Sequence, residues 1–209
     1  MWLVSRISQS FRKRRMRRFC EAMGVTAQTR ILDVGGSPET WAYAPVQPRV
    51  TLLNIPMSIP KLPAYVDWVA GDGCELPFAD QTFDIVFSNS VIEHVGDTAH
   101  QQAFARETAR VGKRYFVQTP NRGFPLEQHL FFPLVHWLPK SWQSPIIHTI
   151  TPWELLAKPT PDQREFYLRH YLEDILLLSA NELRALFPDA QVHRERVLGL
   201  AKSLVASRR

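Results

Sequence analysis

The first residues in this sequence that suggest chemistry are an aspartate and two glycines that follow a short apolar stretch. The segment ILDVGGSPETW, residues 31–41, runs from β-forming residues into Asp33 and then into Gly35 and Gly36. Ligands of open parallel sheets bind beyond the carboxyl ends of the strands, where a glycine turn lets the backbone approach a nucleotide. The sequence has neither the dinucleotide fingerprint G-x-G-x-x-G nor a P-loop. An acid ahead of the glycines instead suits a ligand with a positively charged end.

A second block, GDGCELPFADQTFDIVFSNSVIEHV at residues 71–95, makes the pattern specific. D-x-G-G alone is weak, but D-x-G-G followed by G-D-x-x-x-L-P-F-x-D-x-x-F-D-x-V and E-H-V is strong. Together the two blocks resemble the class I S-adenosylmethionine-dependent methyltransferases of the type 11 group, over about residues 28–121. The resemblance implies S-adenosyl-L-methionine as cofactor. It also implies a Rossmann-like, doubly wound α/β fold: a mostly parallel seven-stranded sheet with helices on both faces and an antiparallel C-terminal hairpin strand.

The resemblance assigns roles to the residues of the first block. Asp33 would hold the methionyl ammonium, and Gly35 and Gly36 would pass under the ligand, where a side chain would clash. Asn54 stands where the family usually has an acid for the ribose hydroxyls, so the charge-assisted hydrogen bond is lost there. The usual third glycine is replaced by Ser37 and Pro38, and Pro38 is predicted to start a short helix.

In the second block, the resemblance places Asp72 as the acceptor for the adenine amino group. Gly73 and Cys74 would lie beside the adenine ring. Asn89 and Ser90, at the end of the fourth strand, would face the methyl donor.

Glu93 and His94 follow this block and leave more than one interpretation open. Some relatives bind a divalent metal through E-x-x-E-H, but here Ser90 occupies the first position, so one ligand is missing. No metal is therefore predicted, although the distant His129 could complete a weak site. His94 is the candidate catalytic residue, as a general base or a substrate contact, because imidazole titrates near neutral pH.

The elements that must position these residues are short strands alternating with helices. β-Branched and aromatic residues predict strands at 30–34, 50–54, 65–70, 83–89 and 114–119. Thr98–Val111 predicts a helix, Ser179 and Glu182 form a capping box for another, and two strands joined around Gly199 end the chain. Buried strands with helices between them predict a parallel sheet that is covered on both faces.

Length and composition predict one methyltransferase domain over residues 1–209, with two distinctive segments. With 209 residues and 45% hydrophobic composition, the chain can bury a substantial core. Residues 120–178 are aromatic and proline-rich, and they are predicted to form a lid or an acceptor-binding region. Their tryptophans are also typical of a membrane-interface belt.

Residues 1–25 are predicted to form a basic N-terminal helical segment. Residues 1–19 hold seven basic residues and no acid, which leaves 18 basic against 20 acidic residues elsewhere. This helix could pack on the domain with a solvated basic face, lie on an anionic membrane through residues 1–20, contact nucleic acid, or act as a transit peptide. No apolar run is long enough for a membrane span, and two cysteines favour a reducing compartment. The predicted location is cytoplasmic, with possible peripheral contact at the inner face of the membrane.

The predicted function is methyl transfer to a small-molecule, glycan or lipid-linked acceptor, by in-line displacement with catalysis through positioning. A methyltransferase that acts on RNA or protein is an alternative that the basic arm favours. The near-neutral body and the ending S-N-S-V of the fourth strand argue against it. A non-catalytic scaffold that retains the fold, supported by Asn54 and the lost third glycine, is another alternative. A nicotinamide dehydrogenase is the last alternative.

Overall fold

The computed structural model describes residues 2–56, 62–149 and 151–209, and their side chains from residue 12 onward. Two short 3₁₀ turns, at Ile92–His94 and Val135–Trp137, accompany the helices and strands. In chain order the elements are α1 (Trp2–Met23), β1 (Arg30–Val34), α2 (Pro38–Trp41), β2 (Arg49–Asn54), β3 (Val66–Ala70), β4 (Phe83–Asn89), α3 (Thr98–Val111), β5 (Gly112–Pro120), β6 (Leu126–Glu127), β7 (Phe132–Pro133), α4 (Lys140–Ile147), α5 (Pro152–Ala157), α6 (Pro161–Asp174), α7 (Ala180–Leu186), β8 (Gln191–Val197) and β9 (Leu200–Arg208).

The main sheet has seven strands in the spatial order β3-β2-β1-β4-β5-β9-β8. The first five are parallel to one another, and β9 pairs antiparallel with both β5 and β8. The predicted mixed sheet is therefore confirmed. Strand order reverses between β1 and β4, which is where open α/β sheets bind their ligands.

Helices cover both faces of the sheet because each presents an apolar stripe to it. On one face, Met16, Phe19 and Met23 of α1 pack with Trp41 of α2 and with Phe87 of β4. The predicted core-packing side of the basic helix is confirmed over these residues. Val4, Ile7 and Phe11, which belong to the same predicted stripe, lie outside the described side chains.

The opposite face is covered by α3 and α7, whose starts are capped as their sequences indicate. Asp97 accepts a hydrogen bond from the His100 backbone N at 3.0 Å, and the predicted Ser179–Glu182 capping box is present. Phe104 of α3 and Leu183 of α7 are fully buried in the core cluster on this side. Among the helices of the described ranges, none combines the length and apolar composition that crossing a bilayer requires.

The C-terminal hairpin turns through Leu198 and Gly199, as predicted. Both residues have positive φ, 50° and 81°, which is the pattern of a two-residue hairpin turn of type I′. A β-bulge interrupts the pairing of β8 with β9 at the step from Glu195 to Arg196. The hairpin thereby brings the end of β8 and the start of β9 beside α1, where Arg15 pairs with Glu195.

Residues 120–178 contain more regular structure than their sequence predicted. They form the β6–β7 hairpin and three helices around a third apolar cluster that includes Leu130, Leu168 and Tyr171. The 14-residue helix α6 was not predicted, although Thr160 and Gln163 form a capping box at its start with Pro161 at its first position. Dense aromatic and proline residues obscured the period of this helix, which fully buries few side chains.

Candidate active site

Two cavities open at the carboxyl edge of the sheet, one on each side of the turn that follows β1. The first has a volume of about 260 Å³, and its lining includes Arg12, Arg15, Asp33, Gly35, Gly36 and Asn89. The second has a volume of about 320 Å³, and its lining includes Gly35, Asn54, Asp72, Gly73, Val91 and His94. Gly35 borders both, so the turn divides one elongated cleft into two compartments. A larger cavity of about 460 Å³, between α3 and α7, contains none of the predicted site residues.

Asp33 lies one residue before the end of β1 and forms part of the wall of the first compartment. It is fully buried, and its Oδ2 accepts a hydrogen bond from Nε1 of Trp41 at 2.8 Å. Its Oδ1 is buried without a hydrogen-bond partner among the described atoms. Burial raises the pKa of this carboxyl from 3.8 to about 7, against the hydrogen bond from Trp41. An unpaired carboxylate oxygen at a cavity wall could pair with a cationic ligand group, and the pairing of Asp33 with the methionyl ammonium stays a prediction.

The two glycines are required by the protein itself as well as by any ligand. Gly35 has φ +73°, and a Cβ there would lie 2.5 Å from a methyl group of Val91. A Cβ on Gly36 would lie 1.8 Å from Oδ2 of Asp33. The predicted reason, clearance beneath the ligand, is therefore joined by a second one, because only glycines let the turn fold around Asp33.

Asn54 and Asp72 both reach the second compartment, and both also have structural partners. Nδ2 of Asn54 donates to the carbonyl of Gly36 at 3.1 Å, which ties β2 to the turn. Oδ1 of Asp72 accepts from the backbone N of Cys74 at 2.8 Å, an arrangement typical of a turn residue. Each side chain keeps an oxygen outside these bonds that could accept from a ribose hydroxyl or an amine.

Among the remaining predicted cofactor residues, Gly73 lines the second compartment and two others do not. A Cβ on Gly73 would lie 2.9 Å from the Phe104 ring. Cys74 does not line the compartment, because its thiol donates to the carbonyl of His100 at 3.3 Å. Ser90 is also turned away, since its hydroxyl donates to Gln118 Oε1 at 3.0 Å and its φ is +58°. The side chains of Cys74 and Ser90 are thus engaged by protein partners, and their places beside the cofactor stay predictions.

Asn89, at the end of β4, lines the first compartment, and it is held there by an arginine of α1. Nη1 of Arg15 donates to Oδ1 of Asn89 at 2.7 Å. The same guanidinium binds the carboxylate of Glu195 through Nη2 at 2.8 Å and Nε at 3.3 Å. Arg15 therefore links α1, β4 and β8 at the mouth of the cleft.

His94, the predicted catalytic residue, borders the second compartment but is a weak base there. Burial lowers the pKa of His94 from 6.5 to about 4, and the nearby His129 and His170 lower it further. A general base works best with a pKa near the operating pH. The environment of His94 therefore favours a neutral hydrogen-bonding contact over proton abstraction.

Glu93 faces the interior, where its contacts are structural. It is fully buried, it accepts from Oγ1 of Thr119 at 2.8 Å, and its backbone carbonyl accepts from the Leu176 N–H at 2.8 Å. Burial raises the pKa of Glu93 to about 7. Its second carboxylate oxygen has no partner among the described atoms.

His129 is not distant from this pair in the folded chain. Ligand atoms of Glu93, His94 and His129 all lie within 4.8 Å of one another, so the three could hold a cation. Nδ1 of His129 lies 2.6 Å from the carboxylate of Glu127. Burial lowers the pKa of His129, but Glu127 outweighs that effect and the net shift is upward. The absence of a metal remains a prediction.

Sequence reasoning missed Arg15 and Glu127 as site residues. Arg15 stood within a run of basic residues, and nothing in the run distinguished it from its neighbours. Glu127 is 1% exposed in a segment where no strand had been predicted. Only the folded structure shows that Arg15 contacts Asn89 and that Glu127 contacts His129.

A protein-family model described as a methyltransferase domain matches residues 30–115. That range holds every predicted cofactor-binding residue and the strands from β1 into β5. No curated protein matches the chain.

Solved structures resemble the fold at low sequence identity. A chain from the complex of the Haloferax volcanii Trm112 methyltransferase activator with a methyltransferase is 14% identical, with 90% of this chain and 85% of that chain covered and a TM-score of 0.51. A Nostoc punctiforme protein assigned as an O-methyltransferase is 12% identical over 98% of this chain and 58% of that chain, with a TM-score of 0.55. A Rhodobacter sphaeroides protein assigned to the Zn-dependent alcohol dehydrogenases is 11% identical over 88% and 84%, with a TM-score of 0.52. Such likeness shows the fold alone, and support for an activity comes from the family match and the site.

Proposed function

We propose that this chain is a class I methyltransferase of the type 11 group that uses S-adenosylmethionine and methylates a small-molecule, glycan or lipid-linked acceptor, since residues 30–115 match a methyltransferase domain. The observation that carries the donor half of this proposal is the buried carboxylate of Asp33. One of its oxygens is unpaired at the wall of a cavity, beside a turn that only glycines can form.

The chain's own residues would bind and orient the reactants. Asp33 would pair with the ammonium of the donor, while Asn54 and Asp72 would accept hydrogen bonds from its sugar and base in the second compartment. When bound, S-adenosylmethionine supplies a methyl group that its sulfonium already activates. The enzyme then needs chiefly to hold the acceptor in line with that methyl group, and such positioning can supply much of the rate.

A non-catalytic scaffold is disfavoured by the cost of the site. A fully buried carboxylate with one unpaired oxygen destabilises a folded protein unless a ligand compensates it. Asn54 does not support the scaffold reading either, because its amide stabilises the turn and still lines the cleft.

The acceptor class is supported by the region around the first compartment. Its mouth is bordered by Arg12 and Arg15 of α1, and Arg15 ties the C-terminal hairpin to the donor site. The net positive charge is concentrated on this one helix, because residues 20–209 hold 18 basic against 20 acidic residues. A narrow cationic mouth favours a small anionic acceptor over an RNA strand, which needs a cationic track along its backbone.

We also propose peripheral contact with an anionic membrane surface through α1. Arg12, Lys13, Arg14, Arg17 and Arg18 are exposed on it, and Trp137 and Trp142 are 52% and 64% exposed in the region after β5. Cosedimentation with phosphatidylglycerol vesicles tests this contact. It should weaken as salt screens the attraction, and equal binding to phosphatidylcholine vesicles would contradict an electrostatic contact.

The function is tested by following a labelled methyl group from S-adenosylmethionine into separated cell fractions. We expect label in the small-molecule, glycan or lipid fraction with the wild-type enzyme, and none with Asp33→Asn. Label confined to RNA or protein would replace the proposed acceptor class with the alternative. Absence of both transfer and cofactor binding by folded protein would support the scaffold.

A further inference from the structure

We propose that a basic cleft beside the donor site binds a phosphate group of the methyl acceptor. The basic cleft is a cavity of about 140 Å³ between α1 and the β8–β9 hairpin. Five cations and one acid line it: Arg14, Arg15, Arg18, Arg196, Lys202 and Glu195. The inference rests on the proposed function and specifies the chemistry of the acceptor.

The charges in the basic cleft are not balanced within the protein. Glu195 is already engaged by Arg15. Among the ion pairs of the described side chains, which include every Asp and Glu of the sequence, the other four cations have no carboxylate within 4.0 Å. Arg14 and Arg18 are four positions apart on one helix, and like charges at that spacing repel. A bound dianion would relieve this repulsion.

Hydrogen bonds fix the hairpin side of the basic cleft, where Lys202 and Arg196 lie. The carbonyl of Lys202 accepts from the Asn121 backbone N and from Nε2 of Gln128, both at 3.0 Å. Nη1 of Arg196 donates to the carbonyl of Gly199 at 3.1 Å. At the β-bulge, Glu195 pairs with Ser203 but Arg196 pairs with Ala201. Lys202 is therefore the extra residue of β9, and bulges commonly re-aim side chains in this way.

Lys202 is partly buried, and its ammonium has no carboxylate partner among the described side chains to compensate for the lost contact with water. It is half-buried, and burial lowers the pKa of its ammonium, with Arg15 lowering it further and Glu195 opposing the change. A cation that is partly removed from water beside another cation gains from an anionic partner.

Arg15 connects the basic cleft to the donor site. It lines both cavities, and its guanidinium donates to Asn89 in the first compartment and to Glu195 in the basic cleft. A phosphate in the cleft would therefore lie one side chain away from the donor compartment. That placement would anchor the acceptor while its nucleophilic atom reaches the methyl group.

Phosphate fits this cleft better than other anions. Guanidinium groups bind phosphate oxygens through paired N–H donors, and several cations suit a dianion better than a single carboxylate. The cleft is small, so it suits one phosphate group and not a nucleic-acid strand, which needs a cationic track along its backbone.

The test is a titration with inorganic phosphate, followed by ³¹P NMR at constant ionic strength. The cleft variant is Arg18→Gln with Lys202→Gln, and the matched control is Lys13→Gln with Arg17→Gln, which removes two charges from α1 outside the cleft. We expect saturable binding to wild type and control, and a dissociation constant raised about tenfold or more in the cleft variant. Non-saturable binding to wild type, or equal weakening in the control, would overturn the proposal.

Two further measurements keep the outcome unambiguous. Calorimetry with S-adenosylmethionine on the same samples should give equal affinities for all variants, so a failure of the donor site is seen separately from a failure of the cleft. If the cleft variant does not fold, Arg14→Gln with Arg18→Gln replaces it, since both side chains are exposed on α1.

A vesicle arm distinguishes the sources of the phosphate. Vesicles of equal parts phosphatidylglycerol and phosphatidylcholine should bind the cleft variant less well than the control if the cleft takes a lipid headgroup. Equal vesicle binding by the two variants, with phosphate affinity lost only in the cleft variant, would assign the cleft to a soluble phosphorylated acceptor.

Discussion

At Asp33, the requirements of folding stability and of ligand binding conflict. Its carboxylate lies fully buried beside the indole of Trp41, with one oxygen unpaired. Such a group costs folding free energy and gains its partner only when a cation binds. At the same edge, Asn54 and Asp72 already have partners within the protein, so Asp33 should dominate the pH dependence of donor binding.

Replacing Asp33 by Asn should stabilise the free protein above neutral pH. The folded pKa is raised from 3.8 to about 7, so the folded state binds a proton more readily than the unfolded state between these values. This group therefore lowers stability as pH rises from about 4 to about 7. We expect Asp33→Asn to melt higher than wild type near pH 8, by roughly 2–4 °C for each kcal/mol gained in a chain of this size. The difference should close near pH 4, and a lower melting temperature at every pH would contradict this account.

Asp84 provides the opposite case, on β4 at the other edge of the sheet. Its carboxylate accepts from the Arg30 backbone N at 3.0 Å and from Nζ of Lys113 at 3.1 Å. The backbone hydrogen bond from Arg30 leads the effects that lower its pKa to about 2. Its contribution to stability is present above about pH 4 and is lost as pH falls toward 2.

We therefore expect Asp84→Asn to lose roughly 1–2 kcal/mol of unfolding free energy at neutral pH and to keep its affinity for S-adenosylmethionine. Urea unfolding at several pH values measures the loss, which should shrink toward pH 2. A loss that does not depend on pH would show that the charge of Asp84 is not its cause.

At the scale of elements, the turn after β1 determines where Asp33 stands. A Cβ on Gly36 would lie 1.8 Å from its carboxylate, so Gly36→Ala must displace Asp33 or the turn. We expect at least a tenfold loss of affinity for S-adenosylmethionine, measured by calorimetry. Gly123→Ala is the matched control, because its added Cβ would meet nothing closer than 3.5 Å. Equal affinity in the two variants would contradict the role of the turn.

The strands and several helices could be predicted because their signals are local. Phe83–Asn89 is rich in the β-branched and aromatic residues of a buried strand, and the Ser179–Glu182 capping box predicts the start of α7. Helix α6 was missed because its capping box lies in a segment dense in prolines and aromatic residues, and its only fully buried side chains are Leu168 and Tyr171.

Only those residues of the candidate site that belong to sequence motifs could be predicted. Asp33, the glycines and Asn89 lie at the cleft because they stand at or just after the carboxyl ends of β1 and β4, which share one edge of the sheet. The contacts of Cys74 and Ser90 could not be foreseen, since they depend on α3 and β5 packing behind the motif.

At the scale of the whole molecule, distant parts of the chain converge on one edge of the sheet. Arg15 of α1 touches Asn89, 74 positions later, and Glu195, 180 positions later. This convergence places a basic helix and the C-terminal hairpin over the donor cleft, which explains why the acceptor side could not be read from any single motif. It also predicts that donor and acceptor sites share a wall at Arg15.

The most direct test of the central claim is calorimetric titration of S-adenosylmethionine and S-adenosylhomocysteine into wild type, Asp33→Asn and Asp84→Asn at neutral pH. The account predicts one-site binding to wild type and Asp84→Asn, and at least tenfold weaker binding of S-adenosylmethionine to Asp33→Asn. Equal affinity in all three folded proteins, or no binding to any of them, would contradict the donor site described for this enzyme.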